Sequence, residues 1–274
     1  MNQVNGQYGN GSVVKLSRRL AALSEWVPEG ARFADIGTDH ALLPVYLAGS
    51  GKVRFAVAGD LHAGPVEAAR RQVAAAGLAD RVSVRQGDGL SVLEPGEVDT
   101  VCIAGMGGGL MVRLLSAAAM EQRLTGVHTL VLSPHVAEDA VRLWLKDNGF
   151  ILEQERLLED EGVIYTLLKA VRATDPQEAT QRNAWLYDEQ LLAPCRASVP
   201  VSLLLEMGPL LIRQGGAVFR RKWEQEMAKR ERIARQIGQS SAPDRDEKRQ
   251  YWESAVSEIR EVLACLPEEK PSFN

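Results

Sequence analysis

The segment Asp35-Ile36-Gly37-Thr38-Asp39-His40 ends one apolar run and opens another. Glycine suits such a junction because the backbone must approach a bound cofactor closely. A helix start behind the loop offers free N–H groups to an anion. The string departs from G-x-G-x-x-G, since Asp39 stands where the second glycine would be. A side chain there crowds and repels a pyrophosphate. A cofactor without phosphate tolerates it, and the sulfonium and ammonium groups of S-adenosylmethionine are attracted to nearby carboxylates. The plainer alternative makes Asp35 and Asp39 capping residues of a strand-end turn.

Three further segments have the same character. Asp60 follows Asp35 by 25 residues, the place where such folds put an acid for ribose hydroxyls. Gly87-Asp88-Gly89 supplies an acid for an adenine amino group, with glycines that make room for the ring; its alternative is an ordinary turn. Ala104-Gly105-Met106-Gly107-Gly108 leaves backbone bare beside a transferred group, and the Asn/Asp-Pro-Pro-aromatic string of many amino-methylating enzymes is absent. Ser133-Pro134-His135 is placed to face a substrate, and His40 to cap a helix or touch the cofactor. For both histidines a structural role competes.

Alternating runs explain how these residues come together. Apolar spacing at Leu16, Leu20, Leu23 and Val27 predicts a first helix, stopped by Pro28 and Gly30. Strands are predicted at 32–37, 55–58, 81–85, 98–104 and 130–132, with helical stretches after all but the third. Segments 150–158 and 163–171 flank Glu161-Gly162 and read as a closing hairpin. The expected class is α/β: a Rossmann-like sheet whose terminal antiparallel hairpin suits, by fold-level analogy, the class I methyltransferase sheet, plus a C-terminal helical, coiled-coil-like domain. The expected division is a catalytic domain over 1–172, a linker or insertion over 173–200 and a helical hairpin over 201–274.

In that last part, 210–237 reads as one long helix and 240–244 as a turn. The final helix spaces Trp252, Ala255, Ile259, Val262 and Leu266 by threes and fours, the seam of a coiled coil. Between 213 and 235, eight basic residues stand against three acids, in a chain of net charge −4. Charge runs are usually solvated helix faces. Here Phe219, Trp223 and Met227 form an apolar seam whose packing would turn many basic groups outward.

Composition is that of an ordinary globular chain, 45% hydrophobic and 25% charged over 274 residues. No run is long and apolar enough for a membrane span, and residues 1–12 lack an apolar leader core, so the cytoplasm is the expected compartment. Cys102, Cys195 and Cys265 are far apart with no CxxC, which points to three reduced thiols and no metal site.

The motifs run in a recognisable order: Lys15-Leu16-Ser17-x-Arg19-Leu20, DIGTDHALLP at 35–44, AGD at 58–60, GDGL at 87–90, AGMGG at 104–108 and MGPLL at 207–211. Over about residues 13–266 the chain resembles the bacterial tRNA (adenine-22-N1)-methyltransferase family. It departs from that pattern at Ser133-Pro134-His135, where Gln-Pro-Asn is frequent, and at Met207. The resemblance implies S-adenosyl-L-methionine as cofactor and tRNA as partner, with a monomer and a weak dimer both left open. It implies in-line attack by adenine N1 on the methyl group, with the base unpaired and flipped outward. A carboxylate would then stabilise developing positive charge. Asp39 is the first candidate and His135 the second, although Asp39 also fits a purely cofactor-binding role. Lys15, Arg19, Arg213, Arg220, Arg221 and Lys222 are the candidates for the RNA backbone. Three other classes fit parts of the pattern: a methyltransferase of a small molecule or protein, a nucleotide-dependent oxidoreductase, and a non-catalytic cofactor-binding scaffold that grips RNA.

Overall fold

The computed structural model describes residues 5–6, 14–239 and 243–267. Most of the polar stretch 1–12, and the first three residues of the turn expected at 240–244, lie outside them. Asn5–Gly6 pairs antiparallel with Val14–Lys15 ahead of the main sheet.

The main sheet has seven strands: β1 (Ala31–Ile36), β2 (Val53–Asp60), β3 (Val82–Gln86), β4 (Thr100–Met106), β5 (Thr129–Pro134), β6 (Phe150–Asp160) and β7 (Val163–Arg172). Their spatial order is 3-2-1-4-5-7-6. The first five are parallel, and β7 enters antiparallel between β5 and β6. The alternation of strands and helices, and the closing hairpin, are as the sequence predicts. The central strands are apolar on both faces because helices cover both: Phe33, Ala34, Val57, Val101, Ile103 and Val131 are fully buried.

Six helices flank or follow these strands: α1 (Arg18–Trp26), α2 (Leu42–Gly49), α3 (Ala63–Ala75), α4 (Gly108–Met120), α5 (Glu138–Asp147) and α6 (Pro176–Leu186). Ser17 caps α1, its hydroxyl accepting from the Leu20 N–H at 3.2 Å. Inside the unit, the Arg142 guanidinium on α5 meets the Glu155 carboxylate on β6 at 2.7 Å, and neither side chain is exposed.

The chain forms two compact units, Met1–Asn183 and Ala184–Asn274. The stretch expected as a linker or insertion, 173–200, spans that division. It carries α6, and residues beyond the division, including Leu186, Tyr187 and Val199, are buried within the second unit. That unit contains α7 (Val201–Met207), α8 (Pro209–Gln214), α9 (Ala217–Gly238) and α10 (Arg245–Cys265). The single long helix expected over 210–237 is broken, because Gly215 and Gly216 both take positive φ, 63° and 96°. Phe219 and Trp223 on α9 and Val256, Ile259 and Val262 on α10 are buried, as a paired seam requires.

The expectation of three reduced thiols is also corrected. Cys195 and Cys265 form a disulfide, with Cα atoms 5.7 Å apart and a sequence separation of 70. Spacing gave no hint of it, since the fold alone brings the two together. Cys102 is free and buried. No helix among the described residues is long and apolar enough to cross a membrane.

Candidate active site

The C-terminal ends of β1, β2, β3 and β4 bring the predicted cofactor residues to one sheet edge. At the end of β1 the chain turns sharply. Gly37 has φ +77°, and a Cβ there would lie 2.9 Å from Met106 Cε. The Gly37 and Thr38 N–H groups both donate to the Gly59 carbonyl, at 2.9 and 3.1 Å. Strand ends β1 and β2 are thereby tied, and the Met106 side chain lies over the bare glycine.

Asp35 is the buried acid of this turn. Its carboxylate accepts from the Thr38 hydroxyl at 2.8 Å. Burial raises its pKa from 3.8 to about 6, against the lowering effect of the Thr38 and Cys102 hydrogen bonds and the Arg19 charge. The Cys102 thiol beside it is pushed well above its ordinary range, first by burial and then by the Asp35 charge.

Asp60 ends β2 with its side chain 12% exposed, and its Oδ1 accepts from the His62 N–H at 2.9 Å. The Gly87 N–H donates to the Asp60 carbonyl at 3.0 Å, so the Gly87-Asp88-Gly89 turn lies directly alongside. Asp88 is exposed there. Asp39 adopts φ 52° and is 74% exposed, its carboxylate 3.6 Å from His40 Nε2.

The β4 end adds backbone and an aromatic corner. Gly105 has φ +84°. The His135 N–H donates to the Met106 carbonyl at 3.1 Å, which lays the end of β5 beside Ala104-Gly105-Met106. Arg19, in the first turn of α1, bonds His135 Nε2 at 3.1 Å. Guanidinium has only donors, so Nε2 accepts and the imidazole carries its proton on Nδ1. The same guanidinium lies 5.0 Å from the Tyr165 ring centroid. A Cβ on Gly105 would touch it at 3.6 Å. Sequence reasoning missed Tyr165. What places it is the β5–β7 register, which no local motif marks: Thr129 pairs Val171 and Leu132 pairs Leu168, and three further residues bring His135 opposite Tyr165.

A methyltransferase-domain family profile matches residues 16–168. The tRNA (adenine(22)-N(1))-methyltransferase of Bacillus subtilis strain 168 is 38% identical over 236 residues, 86% of this chain and 91% of that protein. The crystal structure of the B. subtilis m1A22 tRNA methyltransferase TrmK superposes with a TM-score of 0.80 at 35% identity, covering 91% of this chain and 99% of that one. A Streptococcus pneumoniae protein crystallised with S-adenosyl-L-methionine gives 0.73 at 31% identity, over 90% and 99%. The chain belongs to the tRNA (adenine(22)-N(1))-methyltransferase family.

In this family member, several basic residues expected to face RNA also make contacts within the chain. Arg213 donates to the Trp185, Leu186 and Pro209 carbonyls at 2.6, 3.1 and 2.9 Å, and its guanidinium stacks 4.3 Å from the Trp185 ring centroid. Arg220 donates to the Leu263 and Leu266 carbonyls at 3.2 and 3.3 Å, capping α10. Lys222 lies over the Trp223 ring at 5.8 Å, and Arg221, like Arg220 and Lys222, is partly buried. Arg230 is buried between Glu206 and Glu226. Arg213 and Arg220 thus meet backbone carbonyls, Lys222 an aromatic face and Arg230 two carboxylates. Lys15, Arg232 and Arg235 are exposed. Among the described residues, no group of three or more His, Cys, Asp or Glu is placed to hold a metal ion.

Proposed function

We propose that this chain transfers a methyl group from S-adenosyl-L-methionine to N1 of adenine 22 in tRNA. The observation that carries the reading is the convergence of Asp35, Gly37, Asp60 and Gly105 with His135 at one sheet edge, in a chain that aligns with its family relatives along nearly their whole length.

The residues present fit this cofactor. A Cβ at Gly37 would fill the space against Met106, and no phosphate has to pass the Asp39 side chain. Asp35, Thr38, Asp39 and His40 would hold the amino-acid end, Asp60 the ribose hydroxyls and Asp88 the adenine amino group. Gly87 and Gly89 would leave room for the ring, and Ala104 to Gly108 would line the reacting side. When bound, the cofactor supplies an electrophilic methyl on a cationic sulfur. The chain's own contribution is to orient the base and exclude water.

Asp39 is the proposed carboxylate facing the developing positive charge. His135 presents Nδ1–H and so orients rather than accepts a proton. Lys15, Arg232 and Arg235 are the proposed backbone contacts.

Labelled cofactor and bulk tRNA, followed by nucleoside digestion, should yield N1-methyladenosine. A tRNA with guanine at position 22 should take no label. Label at another nucleotide, or on protein alone, would overturn the reading. Asp39→Asn, nearly isosteric, should lower turnover more than cofactor affinity; an unchanged rate removes Asp39 from the chemistry.

Asp60→Ala should weaken cofactor binding about 10- to 100-fold, since charge-assisted hydrogen bonds contribute about 1.5–3 kcal/mol. Calorimetry reads this directly, and unchanged affinity would exclude Asp60.

Asp35 gives binding a pH dependence. Its folded pKa of about 6 lies above the unfolded 3.8. Below pH 3.8 the group is protonated in both states and costs nothing. The cost of burying its charge grows from pH 3.8 to about 6 and is constant above, so stability from this group falls across that window. A cationic ligand beside Asp35 draws the pKa down. Cofactor binding at pH 5.5 should therefore release a proton, and affinity should decline as pH falls through 6. Calorimetry in two buffers of different ionisation enthalpy measures the proton, and Asp35→Asn should abolish it.

A further inference from the structure

We infer that His135 and Tyr165 form the aromatic wall on which the target adenine rests, and that Arg19 is the positioning residue that holds both rings in place. This rests on the tRNA reading above and specifies which residues seat the substrate base.

The argument begins with topology. In a parallel sheet every strand delivers its C-terminal end to the ligand edge. An antiparallel strand delivers its beginning instead. β7 runs against β5, so Tyr165, three residues into β7, arrives at the same edge as His135, one residue past β5. Two aromatic rings thus meet from opposite chain directions, with centroids 6.0 Å apart and planes at 63°.

The corner also adjoins the reacting side. The His135 N–H is fixed on the Met106 carbonyl at 3.1 Å. Gly105, whose open side faces the Arg19 guanidinium, precedes Met106 on β4. Ala104-Gly105-Met106 is the backbone proposed to line the transferred methyl, so the wall stands beside it.

The third part is the clamp. Arg19 reaches in from α1 and makes two different contacts with one guanidinium, donating to His135 Nε2 at 3.1 Å and lying 5.0 Å from the Tyr165 centroid. Ser17 caps that helix two residues earlier and sets its start. A cation that only gripped phosphate would need neither ring. His135 is exposed and Tyr165 and Arg19 partly so, which leaves the corner open to a ligand. Bases splayed out of RNA are held by stacking on aromatic rings and guanidinium planes. A purine is a neutral, flat partner for such a wall, and the donor on His135 Nδ1 can meet one of its ring nitrogens.

The test uses the full chain and a substrate tRNA carrying 2-aminopurine at position 22. Its fluorescence rises when the base leaves the helix and falls when the base stacks on an aromatic surface. Stopped-flow traces with the wild-type chain should show both phases. Tyr165→Leu should lose the quenching phase and lower kcat/KM for unmodified tRNA about ten- to a hundred-fold, as a lost base–aromatic stack does. Cofactor affinity should stay within error, while the thermal midpoint falls only modestly, since Tyr165 also packs on the core. Tyr165→Phe, which keeps the ring, should restore the quenching phase and most of the rate. Arg19→Gln should leave the flipping phase in place but weaken the quenching, with a larger fall in kcat than rise in KM. A Tyr165→Leu variant with wild-type quenching and wild-type kcat/KM would overturn the wall. So would one that loses cofactor affinity and stability in the same proportion as activity, since Tyr165 would then be a packing residue. A wild-type chain that methylates no tRNA would reject the underlying reading, and the wall with it.

Discussion

Gly108→Ala should cost at least about a hundred-fold in turnover, although it adds a single methyl group. Gly108 opens α4, and its N–H donates to the Val136 carbonyl at 2.8 Å. A Cβ at this position would lie 2.2 Å from the Ala137 carbonyl oxygen and 2.7 Å from that of Val136. Both obstacles are backbone and cannot rotate away. The segment after β5 must therefore move, carrying His135 and the start of α5 with it. Displacements of about 1 Å at reacting groups can cost about 10²-fold. Gly109 is the control, because a Cβ there meets nothing within 4 Å. Gly109→Ala should raise the thermal midpoint slightly, since alanine is about 0.5–1 kcal/mol better than glycine within a helix. Steady-state kinetics and thermal melts of the pair decide the matter. Wild-type turnover for Gly108→Ala would show that the loop yields at no cost.

The second large effect concerns stability. Arg142→Met should destabilise the first unit by about 3–5 kcal/mol, the usual consequence of leaving one partner of a buried ion pair behind. For a unit of this size that amounts to roughly 10 °C in the thermal midpoint. Glu155 would keep its carboxylate in an environment with no solvent exposure. The double variant Arg142→Met/Glu155→Leu should recover most of the loss, because apolar groups of similar volume need no partner. Calorimetry of the two variants checks it. If the single variant melted like the wild type, the pair would carry no stability.

The sheet was legible because its cues are local. Apolar runs ending in Gly37, Asp60, Gly87 and Gly105 mark strand ends, and strand ends in a parallel sheet share an edge. The cofactor side of the site follows from that rule. The substrate side does not, because Tyr165 reaches the edge only through an inverted strand, and its distance from His135 depends on a register that the chain alone does not display. Arg142 was illegible for a related reason. A charged residue at a buried helix position violates the hydrophobic pattern, and its partner Glu155 lies on another element. The basic residues of α8 and α9 show a related limit, because count and spacing do not reveal which carbonyls lie within reach. Arg213 and Arg220 terminate or brace helices, a use of arginine that composition cannot separate from a phosphate contact.

The Cys195–Cys265 bond has a topological consequence. It turns residues 195–265 into a closed covalent ring that includes α7, α8, α9 and α10. A single cut anywhere within that ring, including the span between α9 and α10, yields two pieces that still travel as one molecule until a thiol is added. A hairpin that would come apart at its turn instead retains both limbs. In the unfolded chain the same ring prevents its ends from separating, a restriction of about 4 kcal/mol by loop-closure entropy. A helical unit with a small core of its own thus has its two extremities joined by a bond rather than by packing alone.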